Sequence, residues 1–298
     1  MATINVLGYP SSAAAYCVGV EQAPTALREA GLVGALHAAG HEVKDAGDLA
    51  VRRWRPDRER PYAQNLDDEI AGLRELADAA HALMAPDELL LVLGGSCTVA
   101  LGTCAAAARA GTDAQLVYVD RHLDLNTPIS TTEGSLSWMG MAHALDLDGA
   151  APELVGAVGP RPLLRPGRLS YLGVDLAATT AWERDRAREL DLTVVTQAAL
   201  VADPPAAAAT ARAGLAAEPF LVHVDVDVLD FLDAPLAENV NGRNSGPTVS
   251  QLGRALAELW RDPHCLGLSV GQLVPAHAAS DPRSLGRLIE ALVPPVDR

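Results

Sequence analysis

Apolar residues along this chain follow two rhythms. Short unbroken runs at Ile4–Gly8, Glu88–Leu93, Gln115–Val119, Leu169–Gly173, Leu192–Thr196, Phe220–Val224 and Cys265–Val270 have the length and content of buried strands, and Glu42–Ala46 is a further strand candidate. Between them the spacing becomes helical. Leu66–Met84 repeats Ile70, Leu73, Leu76, Ala77, Ala80 and Leu83 on one face. Thr180–Glu189, Pro204–Ala216, Val249–Trp260, Ser284–Leu292 and an alanine-rich stretch ending at Arg109 read the same way. Ala23-Pro24 opens an early helix, with proline where its missing N–H costs little. Val51–Pro61, rich in Arg and Pro, reads as an exposed loop. Unbroken strands alternating with helices predict a mostly parallel sheet covered on both faces. No composition break divides the chain, so residues 1–298 are expected to form a single domain.

Hydrophobic residues make up 49% of the chain, enough for a large core, and the 4% aromatic content means that core is built from Ala, Leu and Val. The formal net charge of −15 argues against nucleic acid or an anionic membrane surface as a partner, because both need a basic face. Cys17, Cys97, Cys104 and Cys265 are scattered with no CxxC pair, which excludes a disulfide framework or zinc knot. There is neither a signal-like N-terminus nor an apolar run long enough to span a bilayer, so a cytoplasmic protein is expected.

In parallel sheets, ligands sit beyond the carboxyl ends of the strands. Four polar segments fall at such ends: Gly94-Gly95-Ser96-Cys97, Asp120-Arg121-His122-Leu123-Asp124, His223-Val224-Asp225-Val226-Asp227 with Asp230 beyond it, and Gly271-Gln272. In an extended segment the side chains at i, i+2 and i+4 share one side, which predicts convergence of Asp120, His122 and Asp124. Asp225 and Asp227 repeat the i, i+2 spacing. Four carboxylates in one partly buried cleft repel each other and stay ionised only around cations. Two divalent ions offset that charge and activate water for hydrolysis. Gly94-Gly95 lacks the GxGxxG spacing of a dinucleotide site.

These segments resemble the arginase–agmatinase–formiminoglutamase superfamily, the ureohydrolases. Gly8-Tyr9-Pro10 and Gly19 to Leu32 are similar to its N-terminal pattern, Asp120–Asp124 to its DAHxD metal motif, and His223–Asp230 to its SxDxDxxDP motif. The loop from Asp124 to Leu136 is closest to the arginase version. The resemblance implies a three-layer α/β/α sandwich (arginase-like), assembled as a homo-oligomeric trimer or hexamer, that hydrolyses small guanidino-like substrates with manganese. It makes Asp120 and Asp225 bridging metal ligands. Asp124 becomes a ligand of the first ion that also shuttles a proton, and His122 and Asp227 become ligands of the second. Asn126 and Thr131 match positions that hold an amino-acid carboxylate, and Asp175 matches the acid that holds the substrate's amino end.

The family pattern breaks inside the site. The histidine ligand of the first ion is Cys97 here. Its thiolate would favour zinc or iron as a ligand. Alternatively it is a small buried hydrophobe beside a weak or empty ion site, or a nucleophile next to His122. The family's proton-shuttling histidine falls at Ser137, with His143 nearby as a substitute if the loop shifts. Glu133 replaces a carboxylate-binding serine. The glutamate that pairs with a guanidinium becomes Gln272, which hydrogen-bonds without neutralising. Arg121 replaces an alanine. The expectation is a metal-dependent hydrolase with one or two ions acting on a C–N bond of a guanidino or amidino compound less cationic than arginine. Two alternatives stay open: cyclisation or amide formation on the same scaffold, and an inactive relative.

Overall fold

The computed structural model describes residues 1–239 and 244–296. Its eight strands are β1 (Thr3–Gly8), β2 (Glu42–Asp48), β3 (Glu88–Leu93), β4 (Leu116–Val119), β5 (Leu169–Val174), β6 (Thr193–Thr196), β7 (Phe220–Asp225) and β8 (Cys265–Gly271). They form one sheet in the order β2-β1-β3-β8-β7-β4-β5-β6. Every neighbouring pair is parallel.

Each inner strand alternates its side chains between two separate cores. On β4, Val117 and Val119 join one cluster with Val222 and Val224 of β7 and Leu91 and Leu93 of β3. Leu116 and Tyr118 point the other way, into a cluster with Leu90, Val92 and Tyr171. The first face is covered by the helices Ala23–Glu29, Leu32–Ala38, Pro204–Ala213, Val249–Arg261 and Ser284–Leu292. The helices Leu66–Leu83, Val99–Arg109 and Pro152–Val158 cover the second. Two buried faces are why the strands read as unbroken apolar runs, and the layers give the expected three-layer α/β/α sandwich.

The helices form where their sequences permit. Val249–Arg261 buries Val249, Leu252, Ala255, Leu256 and Leu259 along one stripe. Thr248 caps it, accepting from the Gln251 amide while Gln251 reaches back to the Thr248 amide. Thr180 and Glu183 make the same capping box at Ala181–Glu189. Gly31, at φ 98°, divides the early helical stretch into Ala23–Glu29 and Leu32–Ala38. The short helices Gly140–Ala144 and Gln197–Ala202 carry too few turns for a periodic signal and were not legible. Among the described residues no helix is long and apolar enough to cross a membrane.

The four strands β3, β8, β7 and β4 are consecutive in the sheet. Because all run parallel, their carboxyl ends meet at one edge. The four polar segments, scattered from Gly94 to Gln272, are therefore side by side.

Candidate metal centre

Two aspartates start the site in the same way. At the end of β4, Asp120 Oδ1 accepts the His122 amide at 2.6 Å. At the end of β7, Asp225 Oδ1 accepts the Asp227 amide at 2.7 Å. Each carboxylate turns the chain with one oxygen and leaves the other for a partner elsewhere. This turn, and not an extended strand, brings the ligands together. β4 stops at Val119, and Asp124 adopts the left-handed backbone at φ 51°. Asp120, His122 and Asp124 do converge, but through this turn and not through the i, i+2, i+4 spacing of an extended strand.

The loop is held from every side. Tyr171 donates to the Leu123 carbonyl at 2.8 Å, Trp182 Nε1 to the Leu125 carbonyl at 2.9 Å, and the Met141 and Ala142 amides to the Asp124 carbonyl. Such surroundings maintain an uncommon backbone conformation at Asp124. The Tyr118 hydroxyl donates to Asp124 Oδ2.

Ligand atoms of Asp120, His122 and Asp124 lie within 4.8 Å of one another, and so do those of Cys97, Asp120 and Asp225. Asp120 belongs to both groups. The Cys97 thiol donates to Asp225 Oδ2 at 2.9 Å, and His122 Nδ1 lies 3.1 Å from Asp227 Oδ2. Asp120 Oδ2 is buried with no hydrogen-bond partner. An orphaned carboxylate oxygen among other acids is what a bound cation would satisfy, so the residues fit a divalent metal. Burial and then the Asp227 charge push the Asp120 carboxyl up to about 7. Burial also drives Asp124 and Asp225 well above the carboxylate range, with Asp120 adding to Asp124 and Asp227 adding to Asp225. Burial alone would depress the His122 imidazole, but Asp227 and Asp120 raise it instead. Burial and the neighbouring Asp225 hold the Cys97 thiol protonated, which argues against a free nucleophilic thiolate at neutral pH.

Gly271 seats Cys97. A Cβ there would fall 3.3 Å from the sulfur and 3.0 Å from His223 Cε1. His223, fully buried, stacks on Tyr118 with ring centroids 4.9 Å apart, and its Nδ1 meets Ser269 Oγ at 3.0 Å. Gly95 is required by close approach: a Cβ would sit 1.7 Å from the Ser11 carbonyl oxygen.

A cavity of about 500 Å³ opens over this floor, lined among others by His122, Asp124, Asp225, Asp227, Glu133 and Ser137. The Ser135 hydroxyl donates to the Ala14 carbonyl, so the Ser137 hydroxyl, 2.8 Å away, donates to Ser135. His143 is not in the cavity. Its Nε2 accepts the Ala151 amide at 3.0 Å, its Nδ1 faces the Met139 carbonyl at 2.7 Å, and burial pulls it down to about 4. Both ring nitrogens are committed to holding a turn, which corrects its reading as a substitute shuttle. Three candidate substrate contacts also lie off the cavity lining. Asn126 is fully buried and its Oδ1 accepts from Ser130 and Thr180. Thr131 accepts the Glu133 amide. Asp175 pairs with Arg121 at 3.0 Å, which accounts for the arginine that replaces an alanine.

Gln272 does line the cavity. It is held at φ 62° by its amide donating to the Gly95 carbonyl and its carbonyl accepting the Glu238 amide. Its Nε2 donates to Glu238 Oε2 at 3.1 Å. Glu238, only 4% exposed, therefore places an acidic side chain beside the neutral Gln272. Burial pushes Glu238 up to about 7. Glu238 and the Tyr118 hydroxyl escaped the sequence reading, and His223 was read there only as part of a strand-end polar segment. Glu238 lies where the family pattern is lost, and the other two sit inside strand runs that look like core.

The arginase family model matches residues 2–286. Arginase-1 of Sus scrofa is 33% identical over 173 residues, 58% of this chain and 54% of that protein. Mitochondrial arginase-2 of Rattus norvegicus is 33% identical over 177 residues, 58% of this chain and 49% of that protein. The chain thus matches about half the length of these curated relatives. The Entamoeba histolytica arginase structure, solved with L-ornithine, superposes with a TM-score of 0.86 at 18% identity, covering 98% of this chain and 99% of that one. Formimidoylglutamase of Bacillus subtilis gives 0.74 at 18%, covering 98% and 86%, and at these identities the likeness establishes the fold. With the family model running through all four strand-end segments, the chain belongs to the arginase family.

Proposed function

We propose that this protein is a metal-dependent hydrolase that cleaves a C–N bond of a guanidino or amidino compound other than free arginine. The observation that carries the proposal is the pair of clusters Cys97–Asp120–Asp225 and Asp120–His122–Asp124, which share Asp120, with His122, Asp124, Asp225 and the neighbouring Asp227 lining one cavity. The whole chain acts as one catalytic domain. Asp120 and Asp225 would be shared by two ions, Cys97 and Asp124 would help hold the first, and His122 and Asp227 the second. Manganese suits the oxygen-rich majority of this set, and the Cys97 sulfur gives zinc or iron a claim on the first position. When bound, such ions lower the pKa of water into the neutral range and stabilise negative charge on the reacting group.

The chain's own groups do the rest. Asp124, held by Tyr118, takes a proton from the attacking water and delivers it to the leaving amine. Ser137 stands where an imidazole would relay protons. A hydroxyl does not titrate near pH 7, so it orients a water and shuttles nothing. Glu133 on the lining repels a carboxylate, which disfavours arginine itself. A cytoplasmic homo-oligomer, trimer or hexamer, completes the proposal and is checked by light scattering.

The test is reconstitution with manganese, zinc or iron(II), followed by urea assays on arginine, alkylguanidines, N-hydroxyguanidines and acylguanidines. Turnover of a non-arginine compound with bound metal supports the reading. Absence of both metal and turnover defeats it, and a product that has lost water would point to cyclisation.

A further inference from the structure

We propose that Glu238, acting with Gln272, is the group that selects a cationic guanidinium or amidinium in this cavity. The inference rests on the hydrolase reading only for the identity of the reacting group. Glu238 and Gln272 come from different parts of the chain, the loop after β7 and the end of β8, and form one unit. Backbone bonds lock them: the Glu238 amide donates to the Gln272 carbonyl at 2.8 Å. Side chains lock them again through Gln272 Nε2 and Glu238 Oε2 at 3.1 Å.

That second bond fixes which way the Gln272 amide points. Flipping it would set its oxygen against the carboxylate, so Nε2 faces Glu238 and Oε1 faces away. Gln272 is 9% exposed and its Oε1 has no partner among the described residues. A buried, unpartnered acceptor at a cavity wall is an unfilled place for a donor. Among the described residues, Glu238 Oε1 meets only the weak Cys17 thiol donor, at 3.5 Å. Two acceptor oxygens, one on a carboxylate, therefore stand at one wall. Their complement is a planar group with several N–H donors and a positive charge.

The surroundings agree. Glu133 and Asp227 also line the cavity, while the guanidinium of Arg121 is paired with Asp175. Tyr16, whose hydroxyl donates to the Glu238 carbonyl at 3.3 Å, steadies the same loop. A neutral amide or urea would gain one or two hydrogen bonds here but would leave the carboxylate uncompensated. A guanidinium supplies both.

The experiment uses manganese-loaded protein and two probes of one shape, 1-butylguanidine and butylurea, with affinities measured by calorimetry. Wild type should bind butylguanidine at least ~10-fold more tightly, the factor expected of a charge-assisted hydrogen bond. Glu238→Gln, nearly isosteric, should abolish that preference and leave butylurea affinity unchanged. The double variant Glu238→Gln with Gln272→Glu should regain the preference, because the carboxylate returns on the neighbouring side chain. A structural role would not recover in this way. Equal affinities in wild type overturn the proposal, as does a Glu238→Gln variant that keeps the preference or loses both ligands alike. If the discrimination holds while no guanidine is hydrolysed, the selectivity assignment stands and the hydrolase reading falls.

Discussion

The Cys97 thiol donates a 2.9 Å hydrogen bond to the Asp225 carboxylate, joining the exit of β3 to the exit of β7 across β8. The sulfur thus sits among the metal-ligand candidates, and it is protonated unless a cation replaces its proton. Cys97→His should raise manganese occupancy relative to zinc, by ~10-fold or more on hard–soft preference. Metal analysis after dialysis against equimolar manganese and zinc reads the ratio. An unchanged ratio would remove Cys97 from the coordination sphere.

Asp120 carries charge repulsion that a cation relieves. Its folded pKa of about 7 exceeds the unfolded value of about 3.9, so its protonation stabilises the fold fully below pH ~4, and that stability is lost as pH rises toward 7. Asp120→Asn keeps the oxygen that accepts the His122 amide but removes the charge. Chelator-treated Asp120→Asn protein should be more stable than chelator-treated wild type at pH 8, by on the order of 4 kcal/mol, with the gap closing toward pH 4. Manganese should then raise the melting temperature of wild type and not of the variant. Denaturant titrations at several pH values decide it.

His143 works in the opposite direction on pH. Burial lowers it to about 4 from about 6.5, so its contribution to stability is complete above pH 6.5 and is lost as pH falls to 4, up to ~3 kcal/mol. Replacement by Gln should flatten the acid limb of the stability profile while leaving turnover close to wild type. Loss of turnover in a variant that melts normally would return His143 to the reaction path.

Tyr118 positions Asp124. Its hydroxyl bond favours the ionised carboxylate, so Tyr118→Phe should shift the acid limb of kcat/KM upward, by about one pH unit, and lower kcat ~10-fold or more. The pH profile is the discriminating measurement, because lost packing alone would lower activity without moving the limb.

Much of this was already written in the chain. Apolar runs too short for helices and too continuous for a half-exposed sheet allow only a parallel sheet buried on both faces, which fixes the layers and places the polar segments at strand ends. Thr180 with Glu183, and Thr248 with Gln251, announce their helices because a capping box is local chemistry. The candidate ligands Asp120, His122, Asp124, Asp225 and Asp227 were legible for the same reason: each set lies within five residues and folds around its own first carboxylate. What sequence could not decide is which side chains meet across the sheet. The order of the strands brings Gly94, Asp120, Asp225 and Gln272 together, and no local spacing encodes that order. His143 looked available because it is near Ser137 in sequence, yet the fold commits both its nitrogens to backbone. Glu238 carries no local signal and is the partner of Gln272 only in the fold, since a contact between residues 34 apart exists only once β7 and β8 lie side by side.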